Sequence, residues 1–223
     1  MSIVLSTELP TERKIKTVQS FFKDKAGLVI WGKNCLVVAL KSPHAVKIVR
    51  KPDVGETMII FGLSGSAVDG RNFGLEFSQF ERDLEGLFSK RELNFHIVCD
   101  FSTAFLREKF YNRRVERALA IQVVAIGIFT SRINLAVIDF DGEQKREDGG
   151  RFFILGCSDE EKRKELAGIL NSLDPAKQSA QELLASARVL LREFSGHLVC
   201  SSLDFKPEKR RARGRKSEKK RNK

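Results

Sequence analysis

The order in which strand-like and helix-like segments follow one another limits the folds open to this chain. A short amphipathic segment precedes a block of apolar strand-like runs, two long amphipathic segments, a second block of strands, two more amphipathic segments and a closing strand. Strands that come in blocks argue against a parallel sheet in which strands and helices alternate. We therefore expect an α+β fold, a four-layer α-β-β-α sandwich in which a helix pair covers the outer face of each of two packed sheets.

Five segments have the apolar spacing of an amphipathic helix, in which residues three and four apart share one face. In the first, Ile15, Val18 and Phe22 share a face, and we expect the third to direct Leu93, Ile97, Phe101, Ala104 and Phe105 inward. The five predicted helices cover Thr11–Ala26, Ser66–Phe88, Leu93–Tyr111, Asp159–Leu173 and Ser179–Phe194.

Eight apolar runs between turn signals have the length and composition of strands. Gly32-Lys33-Asn34 separates the first two as a tight turn would, and Asp141-Gly142 marks another turn. The predicted strands are Leu28–Trp31, Cys35–Leu40, Val46–Val49, Thr57–Leu63, Arg117–Phe129, Ile133–Phe140, Arg151–Leu155 and His197–Phe205.

Most of the net charge of +11 belongs to the C-terminal segment. Lys206–Lys223 contains eleven Lys or Arg and two Glu, a balance of +9, so the other 205 residues carry only +2. So basic a segment without large apolar residues is expected to be a disordered tail. Such tails bind nucleic acid or acidic surfaces by charge, without sequence preference. We thus divide the chain into an N-terminal segment with its helix (1–26), a sandwich domain (27–205) and a tail (206–223).

The sequence gives no indication of a membrane span or a secretion signal, so we expect a cytoplasmic protein with no membrane contact. Two His-x-x-Cys pairs, His96 with Cys99 and His197 with Cys200, could in principle bind zinc. The cysteines lie among apolar residues, however, and strand residues three apart face opposite ways. We expect buried, reduced thiols and neither a metal nor a cofactor.

Two local patterns, added to the order of the elements, suggest a family. Gly65-Ser66-Ala67-Val68-Asp69-Gly70-Arg71 is similar to the Gly-x-x-x-Asp-x-Arg turn that opens the first long helix of archaeal proteasome α subunits. Arg151–Gly156 looks like the strand before the third helix of that family, which also ends at glycine. From about Thr11 to Phe205 the chain resembles the α-type subunits of the proteasome family, which have the N-terminal-nucleophile (Ntn) hydrolase fold.

The resemblance implies a function and a set of partners. It implies a non-catalytic subunit that forms the outer ring with copies of itself, gates substrate entry to catalytic β-type subunits and receives an ATPase or other ring activator. The first helix would then lie at the pore, and its basic residues could line that pore, meet an acidic partner or simply form a solvated face: Arg13, Lys14, Lys16, Lys23 and Lys25. Residues Met1–Lys16 lack the Tyr-Asp-Arg gate motif, as bacterial α subunits do, so a bacterial-type ring fits better.

Catalytic members of the family use a threonine at the head of the first strand, whose free amine acts as the base for its own hydroxyl. Here Lys25-Ala26-Gly27 precedes Leu28, so we expect no catalytic residue. The other candidates lie in or before the first helix, far from that position: Ser2, Thr7, Thr11 and Thr17.

The resemblance also implies a pocket between neighbouring subunits, in which a lysine meets the terminal carboxylate of an activator tail. Lys47, which precedes Ile48, matches the family pattern best, and Lys51 is the competing candidate; Gly65 would line the same pocket. Both lysines could equally be edge-strand lysines that prevent aggregation. Two other functions stay open: a catalytic hydrolase of the same fold, and a nucleic-acid-associated protein that uses the basic tail.

Overall fold

The fold is a mixed α+β arrangement of two antiparallel sheets and five α-helices, seen in a computed structural model that describes residues 10–50, 56–87, 93–112, 118–129, 132–145 and 151–204. The helices are α1 (Pro10–Phe21), α2 (Ala67–Leu87), α3 (Phe95–Tyr111), α4 (Glu160–Ser172) and α5 (Ala180–Leu190). The strands are β1 (Ala26–Trp31), β2 (Cys35–Ser42), β3 (Val46–Arg50), β4 (Thr57–Ser64), β5 (Ile121–Phe129), β6 (Arg132–Ile138), β7 (Gln144–Lys145), β8 (Phe152–Gly156) and β9 (His197–Asp204).

The strands form two sheets, each with a defined order. Sheet A has the order β8-β1-β2-β9 and sheet B the order β3-β4-β5-β6-β7, with every neighbouring pair antiparallel. Gly32 closes the β1–β2 turn, where its N–H donates to the carbonyl of Cys35 at 2.8 Å. The predicted turn at Asp141-Gly142 is also present, with Gly142 at a φ of 79°.

Apolar side chains of these elements form three clusters. The first joins both sheets and includes Val29, Val38 and Phe61. The second lies between sheet B and helices α2 and α3, and the third between sheet A and helices α4 and α5. Strand β1 shows how the sequence achieves this: Val29 belongs to the first cluster and its neighbours Leu28 and Ile30 to the third. Successive strand residues point to opposite faces, so a continuous apolar strand can serve two clusters.

Helix α1 packs against the cluster that joins the sheets. Val18 and Phe22 are buried in it and Ile15 packs at its margin, as the spacing predicted. The predicted extent, through Ala26, is wrong, because the helix ends at Phe21. Asp24 has a φ of 59°, and the ammonium of Lys25 donates to the carbonyl of Phe21 at 2.6 Å. The chain reverses there and enters β1 at Ala26.

The predicted inward face of α3 is partly wrong. Phe105 is buried as expected, but Ala104 is exposed and Ile97 only half-buried. The face against sheet B is formed instead by Phe95, Val98, Cys99, Ser102, Phe105, Leu106 and Phe110. Phe101 points toward α2, where its ring stacks on Phe80 at 4.3 Å. The large Phe101 side chain suggested a core position, and it does pack, but between two helices.

The second half of the chain also differs from expectation, at one strand boundary and in two short elements. The strand predicted from Arg117 begins at Ile121, although Ala118–Ala120 is fully or nearly buried. The two-residue strand β7 and a 3-10 helix at Pro175–Lys177 were not predicted. None of the described helices is long and apolar enough to cross a membrane.

Candidate functional site

Lys47 lies on β3, the edge strand of sheet B, opposite Phe61 of β4. Its side chain is exposed and its ammonium lies 5.5 Å from the centre of the Phe61 ring, a cation–π contact. The same ammonium donates to the hydroxyl of Ser201 at 3.5 Å. Ser201 belongs to β9, one of the two edge strands of sheet A. Lys47 therefore spans the two sheets at one side of the molecule.

This geometry leaves the Lys47 ammonium able to bind an anion. Its contact with Ser201 is long for a hydrogen bond, and a lysine carries three donors. Among the described residues no carboxylate forms an ion pair with it. A carboxylate that binds at this edge could contact the solvent-exposed side of the Lys47 ammonium, while the Phe61 ring contacts its other side.

Gly65 is buried where β4 turns into α2, beneath the end of α1. Its N–H donates to the carbonyl of Ala120 at 2.7 Å. A Cβ atom at this position would stand 2.7 Å from the Cβ of Phe21 and 2.9 Å from that of Ala120, well inside normal contact. The absence of a side chain at Gly65 thus allows α1 and the β4–α2 turn to approach closely.

Asp69, which belongs to the same motif as Gly65, also forms a hydrogen bond with Ala120. Asp69 is fully buried, and its carboxylate accepts the N–H of Ala120 at 3.0 Å. Gly65 and Asp69 thus satisfy both backbone groups of Ala120, the residue directly before β5. The hydroxyl of Ser66 accepts the N–H of Asp69 at 3.2 Å and caps α2. The Gly-x-x-x-Asp-x-Arg pattern therefore ties the β4–α2 turn to the start of β5.

The structure does not bring Lys47 and Gly65 together. Lys47 pairs with Phe61, four residues before Gly65, which at the usual rise of about 3.3 Å per strand residue corresponds to roughly 13 Å. Lys51 lies outside the described residues. Of the predicted pocket residues, Lys47 has the exposure that a carboxylate site needs, and Gly65 has a packing role beside the same strand.

The head of β1, where the family resemblance places a catalytic threonine, is occupied by buried Ala26. Val18 of α1 and Phe22, directly after the helix, are buried in the cluster that joins the sheets, whereas Ala26 belongs to the cluster between sheet A and helices α4 and α5. Thr17 lies about two turns into α1 and donates its hydroxyl to the carbonyl of Arg13 at 2.8 Å, and Thr11 is exposed near the helix start. Ser2 and Thr7 lie outside the described residues.

All four cysteines are free thiols, three of them buried. Burial raises the pKa of both Cys35 and Cys157, which disfavours the reactive thiolate. His96 and Cys99 lie on α3 beside sheet B, whereas His197 and Cys200 lie on β9 in sheet A. Within the described ranges no three His, Cys, Asp or Glu side chains are grouped as metal ligands.

Sequence reasoning missed one polar network, which joins β5, β6, β7 and β8. Asp139 accepts hydrogen bonds from Gln122 at 2.7 Å and from the ammonium of Lys145 at 2.8 Å. The amide oxygen of Gln122 accepts the N–H of Gly156 at 2.5 Å. Gln122 is the single polar residue in an apolar strand, and that exception was the available signal.

Comparison of the chain with models of known protein families and with curated proteins finds no match to either.

Proposed function

We propose that the chain is a non-catalytic α-type subunit of a proteasome-type protease, and that its sheets and helices form the four-layer α-β-β-α sandwich of the Ntn hydrolase fold. The layering is supported by the three apolar clusters: one between the sheets and one between each sheet and its own helix pair. Each helix pair also follows a block of strands along the chain, the order that the sequence pattern predicted for this layering.

One observation carries the non-catalytic assignment: β1 begins at Ala26, which has no hydroxyl and follows α1 in the chain. A threonine protease of this kind needs a free amine and a hydroxyl on the first residue of β1. Ala26 is fully buried and offers a methyl group, and the preceding chain carries Val18 of α1 and Phe22, both part of the core. Cleavage before Ala26 would expose no hydroxyl, and it would remove two buried side chains from the cluster between the sheets.

In this proposal the partners are copies of the chain in a ring, catalytic β-type subunits and an ATPase or other ring activator in the cytoplasm. Lys47 receives the carboxylate of the activator tail, with Lys51 as the alternative donor on the same stretch of chain. The supporting contact is the exposed Lys47 ammonium, which is held against the Phe61 ring and has no carboxylate partner among the described residues.

A covalent probe for N-terminal nucleophiles, followed by peptide mapping, tests the assignment. The purified full-length chain should remain unlabelled, because none of its hydroxyls stands at the head of β1. A co-purified β-type partner should be labelled at its threonine, which serves as the positive control in the same tube. Stoichiometric labelling of any residue of this chain would contradict the proposal and favour a catalytic hydrolase of the same fold.

A further inference from the structure

An open groove runs along the free edge of β8. Among the described strands β8 pairs only with β1, so its other edge faces away from sheet A. A cavity of about 400 Å³ lies against this edge. Helix α4 forms one wall, with Arg163, Lys164 and Ala167, and sheet B forms the other, with Val137 and Lys145. The groove thus lies in the plane of sheet A, between a helix and the opposite sheet.

The backbone of β8 presents hydrogen-bonding groups to this groove. The carbonyl of Arg151 accepts the N–H of Trp31, and the N–H of Cys157 donates to the carbonyl of Lys25, each at 2.8 Å. In an antiparallel pair such bonds occur at every second residue. The backbone N–H and C=O groups of residues 151, 153, 155 and 157 therefore point toward β1. Phe152, Ile154 and Gly156 therefore direct their N–H and C=O groups outward, into the groove.

Side chains cover two of these outward groups. The amide of Gln122 accepts the N–H of Gly156, and the guanidinium of Arg163 donates to the carbonyl of Ile154 at 3.3 Å. The Arg163 contact is long, and a charged side chain over a strand edge is a usual protection against unwanted pairing. Among the described residues, none bonds the N–H of Ile154 or the backbone groups of Phe152, which are directed at the groove.

The lining also indicates the chemistry of an occupant. Phe152, Phe153 and Ile154 are each half-buried along the edge, and they provide apolar surface on both faces of β8. The charged side chains of the lining are Lys145, Arg163 and Lys164 against the single carboxylate of Glu160. Lys145 forms an ion pair with Asp139. Among the described lining residues this leaves two cationic side chains on α4, Arg163 and Lys164, and one carboxylate, Glu160.

We propose that β8 is a docking edge for an extended, acidic segment of a partner protein, which adds to sheet A as a further strand. Its backbone bonds Phe152 and Ile154, and its carboxylates meet Lys164 and Arg163 once Arg163 is displaced from the Ile154 carbonyl. The excess of cationic side chains among the described lining residues is what favours an acidic segment as the occupant. The edge β8 is distinct from the Lys47 edge, and the inference does not depend on the proposed function.

The probe is a fluorescein-labelled pentapeptide of alternating valine and glutamate, titrated into the full-length protein and followed by fluorescence anisotropy. Two matched peptides serve as controls: one has lysine in place of glutamate, and the other has a central proline that cannot complete a ladder. We expect the acidic peptide to bind about tenfold or more tightly than either control. Failure of the acidic peptide to bind at up to about 1 mM, or equal binding of all three peptides, would refute the docking edge.

Hydrogen exchange locates the bound peptide. Binding should slow exchange at the amide of Ile154, which faces the groove, far more than at Phe153, which already bonds to β1. Binding without that protection would overturn the inference in favour of nonspecific charge attraction. Protection of Ile154 that rises with protein concentration in the absence of peptide would overturn it in favour of a second copy of the chain as the occupant.

Two variants complete the test. Ala167→Trp fills the groove from α4 without changing charge and should weaken binding about tenfold, while Ala185→Trp, the same change on an exposed position of α5, should leave it unaltered. Lys164→Glu should weaken binding about threefold at low salt and less at high salt. Unchanged binding by Ala167→Trp, confirmed as folded by its melting curve, would exclude the groove as the site.

Discussion

Replacement of Gly65 by alanine tests the close approach of α1 to the β4–α2 turn. The new Cβ would stand 2.7 Å from the Cβ of Phe21, 2.9 Å from the Cβ of Ala120 and 3.1 Å from the carbonyl oxygen of Phe21. Carbon atoms pack at about 3.5–4.0 Å, so the closest of these contacts is short by at least about 0.8 Å. None of the three atoms is the mobile end of a side chain, so α1 itself must shift.

Overpacking of this kind costs about 1–3 kcal/mol of unfolding free energy. For a chain of this size each kcal/mol lowers the melting temperature by about 2–4 °C, so Gly65→Ala should melt about 2–12 °C lower than the wild type. The assay is thermal unfolding followed by circular dichroism, with hydrogen exchange of α1 as the local readout. Exchange in α1 should increase more than exchange in α5.

Gly168→Ala is the matched control, because it makes the same chemical change where a Cβ meets nothing within 4 Å. Gly168 lies inside α4, where alanine favours the helix by about 0.5–1 kcal/mol, so this variant should be slightly more stable. A Gly65→Ala protein as stable as the wild type would refute the packing described for α1.

Three further predictions concern the pattern around Asp69, the candidate pocket and the tail. Asp69→Ala leaves the N–H of Ala120 buried without its acceptor and should cost about 1–3 kcal/mol in denaturant unfolding, whereas Asp83→Ala, an exposed position on the same helix, should cost less than about 0.5 kcal/mol. Lys47→Ala should weaken activator-stimulated degradation while assembly and melting temperature stay unchanged. If Lys51→Ala alone weakened the stimulated degradation, the pocket lysine would be Lys51 and not Lys47. Deletion of 206–223 should leave the melting temperature unchanged, because the segment contributes charge and hardly any apolar surface, and a large drop would show that it docks.

The elements that periodicity specifies were predictable from the sequence. Successive residues of β1 serve two clusters, and the spacing of Ile15, Val18 and Phe22 matches their packing. The end of α1 was not predictable in the same way, since Lys23, Asp24 and Lys25 are all compatible with a helix. The positive φ of Asp24 and the bond from Lys25 to the Phe21 carbonyl depend on where β1 has to begin, which is a tertiary constraint.

The candidate site was predictable only in part. A sequence motif alone does not distinguish the residues that pack in the fold from those that bind a ligand. Gly65 stays a predicted pocket residue, and the contacts with Phe21 and Ala120 that the structure adds to it had no signal in the motif. The groove along β8 had no sequence signal at all, since it depends on which strand lies at the edge of sheet A. The order of strands in a sheet is set by long-range pairing, which local patterns do not encode.

The central proposal, a ring-forming subunit without its own nucleophile, is tested most directly by the mass of the assembly in solution. Mass photometry of the full-length chain, alone and after co-expression with a candidate β-type partner, measures it without labels. The account predicts a closed oligomer of several copies, at least with the partner present, and the same mass for Lys47→Ala. A monomer whose mass does not change with concentration, both alone and with the partner, would contradict it.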